Sequence, residues 1–183
     1  MISTPHLLIG RHIRVHALQV DKALDSTDWR ILDELQRDGR LSYNQLAKRV
    51  NLSSPAVAER VRRLEESGVI AGYQAQVDPA KAGLPLTAFI QMRCTPGRCL
   101  LKTSKADDLP EVIEIHKLSG NSCTILKVRV ASLQHLEGLN ERLGEHGEIS
   151  TQVVLSTQYE GRPVEPPAEQ ARTVTPSAGW HRA

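Results

Sequence analysis

Three short amphipathic segments, two of them opened by helix-capping serines, are followed after Gly72 by apolar residues at every second position, and together these predict an α+β chain. The helical part has the plan of an N-terminal three-helix, winged-helix-like helix-turn-helix domain. The alternating part runs strand, weak helix, strand, strand, helix, strand, which is the split βαβ order of a ferredoxin-like βαββαβ domain. The expected boundaries are a mobile arm over 1–24, the helix-turn-helix domain over 25–72, a linker strand over 73–84, the ferredoxin-like domain over 85–158 and a disordered tail over 159–183.

Each element has a local cause. Residues 1–24 show no period and read as an arm, with phosphate contact through Arg11, Arg14 and Lys22 as the functional alternative. Asp25 and Asp28 have the spacing of an N-cap and an acidic first turn, and Ile31, Leu32 and Leu35 then share one face of a helix that ends near Gly39. Ser42 with Gln45 makes a capping box, and Leu41 with Leu46 a hydrophobic staple. That helix buries Leu46, Ala47 and Val50 and is broken at Asn51-Leu52. Ser53 caps the third helix, Leu52 and Val57 staple it, Pro55 is tolerated in the first turn, and Gly68 stops it.

Beyond Gly72, Leu86, Ala88, Ile90 and Met92 alternate with Thr87, Phe89, Gln91 and Arg93, as Ile149, Thr151, Val153 and Leu155 alternate with their neighbours later. Glu111 to Leu118 and Cys123 to Val130 are two further strands around the turn composition Ser119-Gly120-Asn121-Ser122. Leu133, Leu136, Leu139 and Leu143 form a helical stripe behind the cap Ser132. The polar stretch Arg98 to Asp108 offers little apolar face and is the weak helix of the set. Past Glu160, Pro, Glu and Arg without a period read as disorder.

Charge directs the functional reading. The chain has 183 residues and a formal net charge of only +2, so its overall field is too weak to imply nucleic acid. The distribution is uneven, however. From Asp25 to Asp38 five acids face two bases, a net of −3, whereas from Arg40 to Arg63 six bases face Glu59 alone, a net of +5. At 100° per residue, Val57, Val61 and Leu64 must face the core of the domain, while Pro55, Glu59, Arg62 and Arg63 point away. The second helix of a helix-turn-helix enters the major groove with its N-terminal end at the base edges. Ser54, Pro55, Ala56 and Glu59 are therefore expected to read bases, a carboxylate there accepting from a cytosine amino group, while Arg62 and Arg63 grip phosphates. Arg60 lies at the flank and serves either face. With the caps Ser42 and Ser53, these residues make up the expected contact set for double-stranded DNA.

Other classes are disfavoured. The cysteines, Cys94, Cys99 and Cys123, are an odd number without metal-ligand spacing, which fits a reducing compartment and a cytoplasmic location. No apolar run reaches the length of a membrane span. An enzyme would have to use Cys123 as nucleophile with His116 or His135 as base, yet a strand cysteine is usually a small buried hydrophobe, so no enzymatic activity is expected. His12 and His16 have helical spacing but no completing ligands, so neither metal nor other cofactor is expected.

Asp28-Trp29-Arg30-Ile31-Leu32, Leu52-Ser53-Ser54-Pro55-Ala56-Val57, Glu59-Arg60-Val61-Arg62-Arg63-Leu64-Glu65 and Gly68-Val69-Ile70-Ala71-Gly72-Tyr73 together resemble the Lrp/AsnC (leucine-responsive, or feast-famine) family of transcriptional regulators. Leu109-Pro110-Glu111-Val112, His116, Gly120, Ile125-Leu126-Lys127-Val128 and Gln152-Val153-Val154-Leu155-Ser156 resemble its companion domain, so the likeness covers about residues 24 to 158. It implies a nucleoid-associated regulator that dimerises through the βαββαβ domains, assembles up to octamers, and binds a small effector such as an amino acid between subunits. Carried over by position, the effector-binding loop is Gly120, Asn121, Ser122 and Cys123. Many relatives have an acidic residue where Cys123 stands, and its loss removes one charge-assisted partner for an α-amino group. A companion domain that only oligomerises is the alternative.

Overall fold

A computed structural model of the chain describes residues 24–103 and 108–167. The arm expected over 1–24, including His12 and His16, lies outside them except for Leu24, as do the tail residues beyond 167. Among the described residues the chain divides into a helical unit, which also takes in 159–167, and a sheet unit over Gln76–Gln158.

In the helical unit, α1 spans Ser26–Arg37, α2 Tyr43–Val50 and α3 Ser54–Glu66. Asp25 accepts the Asp28 backbone N–H at 2.8 Å while the Asp28 carboxylate accepts the N–H of Asp25 at 3.2 Å, so the acidic first turn is a reciprocal capping box. Ser42 and Gln45 close the same box on α2, and Asn51, at φ 55°, ends that helix in the left-handed region. Ser53 caps α3 with Pro55 in its first turn, and after it Gly68, at φ 75°, lets Ile70 N–H return to the Leu64 carbonyl. Ile31 and Leu32, Leu46, Ala47 and Val50, and Val57, Val61 and Leu64 form one buried cluster. Each helix is too short to persist alone, so this shared apolar cluster is what holds the capped segments together.

The sheet unit has β1 (Leu86–Cys94), α4 (Leu100–Thr103), β2 (Val112–Lys117), β3 (Thr124–Val130), α5 (Leu133–Gly144) and β4 (Gly147–Val153). Strand order is β2-β3-β1-β4 with each neighbouring pair antiparallel, the ferredoxin-like topology. Ala88, Ile90 and Met92 of β1 and Leu126, Val128 and Val130 of β3 meet Leu136, Leu139 and Leu143 of α5 in the core. Gly147 is required where β4 begins. A Cβ there would lie 2.1 Å from the Arg93 carbonyl oxygen, at φ 154°.

Three expectations change. The linker over 73–84 is not a strand: Pro79 has no N–H to donate, and the Asp78 carboxylate takes the N–H groups of Ala80 and Lys81 to make a turn instead. The weak helix of Arg98 to Asp108 is one turn, anchored by buried Leu100, with 104–107 outside the described residues. Residues 159–167 depart from the disordered tail, because the Gln36 side chain donates to the Val164 carbonyl at 3.1 Å and accepts its N–H at 2.7 Å. Val164 thereby sits at a groove lined by Trp29, Leu32, Leu35, Val69 and Ile70 of the helical unit. No helix among the described residues is long and apolar enough to cross a membrane.

Candidate functional sites

The third helix presents the two faces its sequence requires. Val57 and Val61 are fully buried and Leu64 nearly so, while Pro55, Glu59 and Arg62 are exposed. Ser53 and Ser42 accept capping bonds, at 3.4 Å from Ala56 N–H and 3.3 Å from Gln45 N–H, and so position the helices while staying exposed. Ser54 and Ala56 lie half-buried in the first turn beside exposed Pro55. Arg62 is not bare. Glu59 receives it through two bonds, at 3.1 and 2.7 Å, and Glu66 through a third at 2.5 Å. These bonds hold the Glu59 carboxyl below its ordinary range, chiefly through the Arg62 hydrogen bond. All three side chains are more than half exposed, and such pairs are weak in water, so a phosphate can displace the carboxylates.

Arg60 is not on this open face. Its guanidinium spans to α1, 2.7 Å from Asp25 and 2.6 Å from Asp28, and the Asp28 side chain is only 7% exposed. A buried carboxylate needs a cation, and Arg60 supplies it, so this residue ties α3 to α1. The Arg60 hydrogen bond is also the main reason the Asp25 carboxyl is held below the usual range. Arg63 is intermediate: its Nη2 lies 3.6 Å from Asp28 and its side chain is 42% exposed. The tie from Arg60 to α1 had a sequence signal, since position 60 flanks the core stripe and α1 begins with two acids. The role of Glu66, four residues from Arg62, was also legible from i,i+4 spacing.

In the sheet unit, Gly120 adopts φ 107° in the turn between β2 and β3, with Asn121 exposed and Ser122 and Cys123 half-buried. The loop is pinned at its end: Leu118 N–H donates to the Cys123 carbonyl and Cys123 N–H to the Met92 carbonyl, both at 2.9 Å. Cys123 Sγ accepts the Cys94 N–H at 3.1 Å and the Thr124 hydroxyl at 3.5 Å, and as a thiol donates to the Met92 carbonyl at 3.2 Å. Burial raises this thiol, but the bonds from the Cys94 thiol, Thr124 and the Cys94 N–H outweigh it and leave Cys123 below its ordinary value. His116 pairs with Glu114 and His135 with Glu111, so neither candidate base has a thiol as its partner.

Glu111 was not singled out beforehand. It is 8% exposed and is bound by His135 at 3.0 Å and by Arg142, both from α5. Burial raises its carboxyl, and backbone and side-chain hydrogen bonds bring it below the ordinary range. This cluster fastens the start of β2 to α5 and is structural.

Comparison with known proteins covers both units. A winged helix-turn-helix DNA-binding family model matches residues 24–71, and an Lrp/AsnC ligand binding domain model matches residues 87–164. The transcriptional regulator YezC of Bacillus subtilis is 42% identical over 134 residues, covering 73% of this chain and 95% of its own length. The solved structure of B. subtilis LrpC superposes with a TM-score of 0.70 at 32% identity, covering 74% of this chain and 97% of that one. A feast or famine regulatory protein of Mycobacterium tuberculosis, solved in complex with L-methionine, gives a TM-score of 0.72 at 35% identity, over 79% of this chain and all of that one.

Proposed function

Since the chain belongs to the Lrp/AsnC family of DNA-binding transcriptional regulators, we propose that it reads its operator with the exposed side of α3 and answers to a small effector held at the loop Gly120–Cys123. The observation that carries the DNA half is the sidedness of α3: Val57, Val61 and Leu64 anchor it from behind and leave Ser54, Pro55, Ala56, Glu59 and Arg62 on the accessible side. Arg62 exchanges its glutamates for phosphate, Arg63 adds a second cation near the helix end, and Glu59, released by Arg62, is free to accept from a base edge. Ser42, Ser53 and Arg60 set the helix positions.

An amino acid is the effector class favoured by the M. tuberculosis relative, whose solved complex contains L-methionine. The dimer is supported by the sheet face opposite α5, where Phe89 and Ile125 stand among Glu114, Lys127 and Gln152 and no second layer covers them among the described residues of the sheet unit. A sheet with one apolar side open seeks a partner layer, and a second copy of the same sheet supplies one. Dimers then assemble further, up to octamers, on nucleoid DNA in the cytoplasm. An effector that prefers one assembly geometry changes the spacing of the two α3 helices, with a coupling of about 1–3 kcal/mol between the sites.

Footprinting upstream of its own gene, with and without an amino-acid mixture, tests both halves. Discrete half-sites about one helical turn apart are expected, with their occupancy changed by the mixture. Protection without discrete half-sites would remove operator reading. A thermal-shift panel in which no amino acid raises the melting temperature would leave the sheet unit as an oligomerisation module, the reading that Cys123 favours.

A further inference from the structure

The three cysteines, separated by up to 29 residues, converge at one corner of the sheet unit. Cys94 ends β1, Cys99 precedes α4, and Cys123 closes the loop before β3. The Cys94 N–H donates to Cys123 Sγ at 3.1 Å, and all three cysteines are free and half-buried. Met92 and Thr124 are the last ladder pair between β1 and β3, so Cys94 and Cys123 lie just past the same end of the same two strands.

The two thiols are unlike. Cys123 Sγ receives donors from Cys94 N–H at 3.1 Å and Thr124 Oγ1 at 3.5 Å, which favour a thiolate, against the Met92 carbonyl at 3.2 Å, which takes its proton in the thiol form. Cys94 is pushed up to about 11, first by burial and then by its bond to Cys123, while the Cys123 thiol is held below its ordinary value by the donors around it. One attacking sulfur beside one protonated reserve sulfur is the arrangement a two-step thiol oxidation requires.

We propose that Cys123 and Cys94 form a peroxide-reactive pair, Cys123 attacking and Cys94 resolving. The Cys123 thiolate attacks one oxygen of a hydroperoxide, the O–O bond breaks, and the departing oxygen takes a proton to leave as alcohol or water. Cys123 is then a sulfenic acid. The Cys94 sulfur, giving up its proton, displaces hydroxide from it, and the two leave as water. Two thiols lose two electrons to the peroxide and one S–S bond ties the end of β1 to the β2–β3 loop. Any effect on effector binding rests on the reading of that loop given above; the thiol chemistry does not.

Trypsin separates the three sulfurs, because Arg93, Arg98, Lys102, Lys117 and Lys127 place each cysteine in its own peptide. The reduced full-length chain is exposed to hydrogen peroxide, alkylated, digested without reductant and analysed by mass. The expected product joins the peptide of residues 94–98 to that of residues 118–127. In Cys94→Ser the cross-link is lost and a 1,3-diketone adds to Cys123 instead, whereas Cys99→Ser keeps the cross-link. Recovery of Cys94 and Cys123 as separately alkylated thiols, or a cross-link built on Cys99, overturns the proposal without need of any variant. Amino-acid thermal shifts on the reduced protein decide the effector reading separately.

Discussion

Arg60→Ala should make the helical unit easier to unfold while leaving DNA recognition by the folded protein intact. Its bond to Asp25 joins groups that are 28% and 51% exposed, and such a pair contributes under about 1 kcal/mol. The bond to Asp28 differs, because that side chain is 7% exposed. Removing one partner of a buried pair costs about 3–5 kcal/mol when the remaining charge is left alone. Here Arg63, at 3.6 Å, stays to offset part of that charge. A loss of about 2 kcal/mol follows. Urea denaturation read by Trp29 fluorescence measures it, at one fixed protein concentration because self-association shifts the midpoint. Asp28→Asn in the Arg60→Ala background should restore part of the loss by removing the stranded charge, which a double-mutant cycle makes visible. An unchanged midpoint together with weakened operator binding would place Arg60 in the groove and refute the interhelix tie.

Further outcomes follow from the same geometry. Arg62→Ala should weaken binding to all DNA sequences and lower the salt slope by about 1, whereas Glu59→Ala should change base preference, both read by gel shift over a salt series. Glu66→Gln removes one of the carboxylates competing for Arg62 and should strengthen binding to random DNA. Gly147→Ala forces a methyl group against the Arg93 carbonyl and should cost about 2–3 kcal/mol in urea denaturation. Glu111→Gln should lose about 2 kcal/mol at neutral pH. The folded carboxyl of Glu111 lies below the ordinary carboxylate range, so its stabilisation is complete above the unfolded value and is lost as pH falls through the folded one; wild type and variant should converge in acid. Gln36→Ala should speed cleavage after Glu160 by a glutamate-specific protease, followed by mass, because the amide that holds the Val164 segment is gone.

The sequence by itself determined every element whose signal is local. Asp25, Ser42, Ser53 and Ser132 each cap the helix their position announced, and the alternation from Leu86 to Arg93 is the buried and exposed alternation of β1. The inward stripe Val57, Val61 and Leu64 needed only helical period, so the outward side of α3 was legible too. Tertiary structure decided whatever depends on a partner distant in the chain. Arg60 looks like any surface base until Asp25 and Asp28 are brought within 2.7 Å. Residues 73–84 turn where the Asp78 carboxylate takes the N–H groups of Ala80 and Lys81. Val164 is held by Gln36 from 128 positions away, and Cys94 meets Cys123 only because the β1–β3 register brings them to one corner. Caps and periodicity are satisfied within a few residues, so sequence encodes them directly; charge neutralisation, strand pairing and thiol proximity are set by the folded arrangement, and no window of sequence contains both partners.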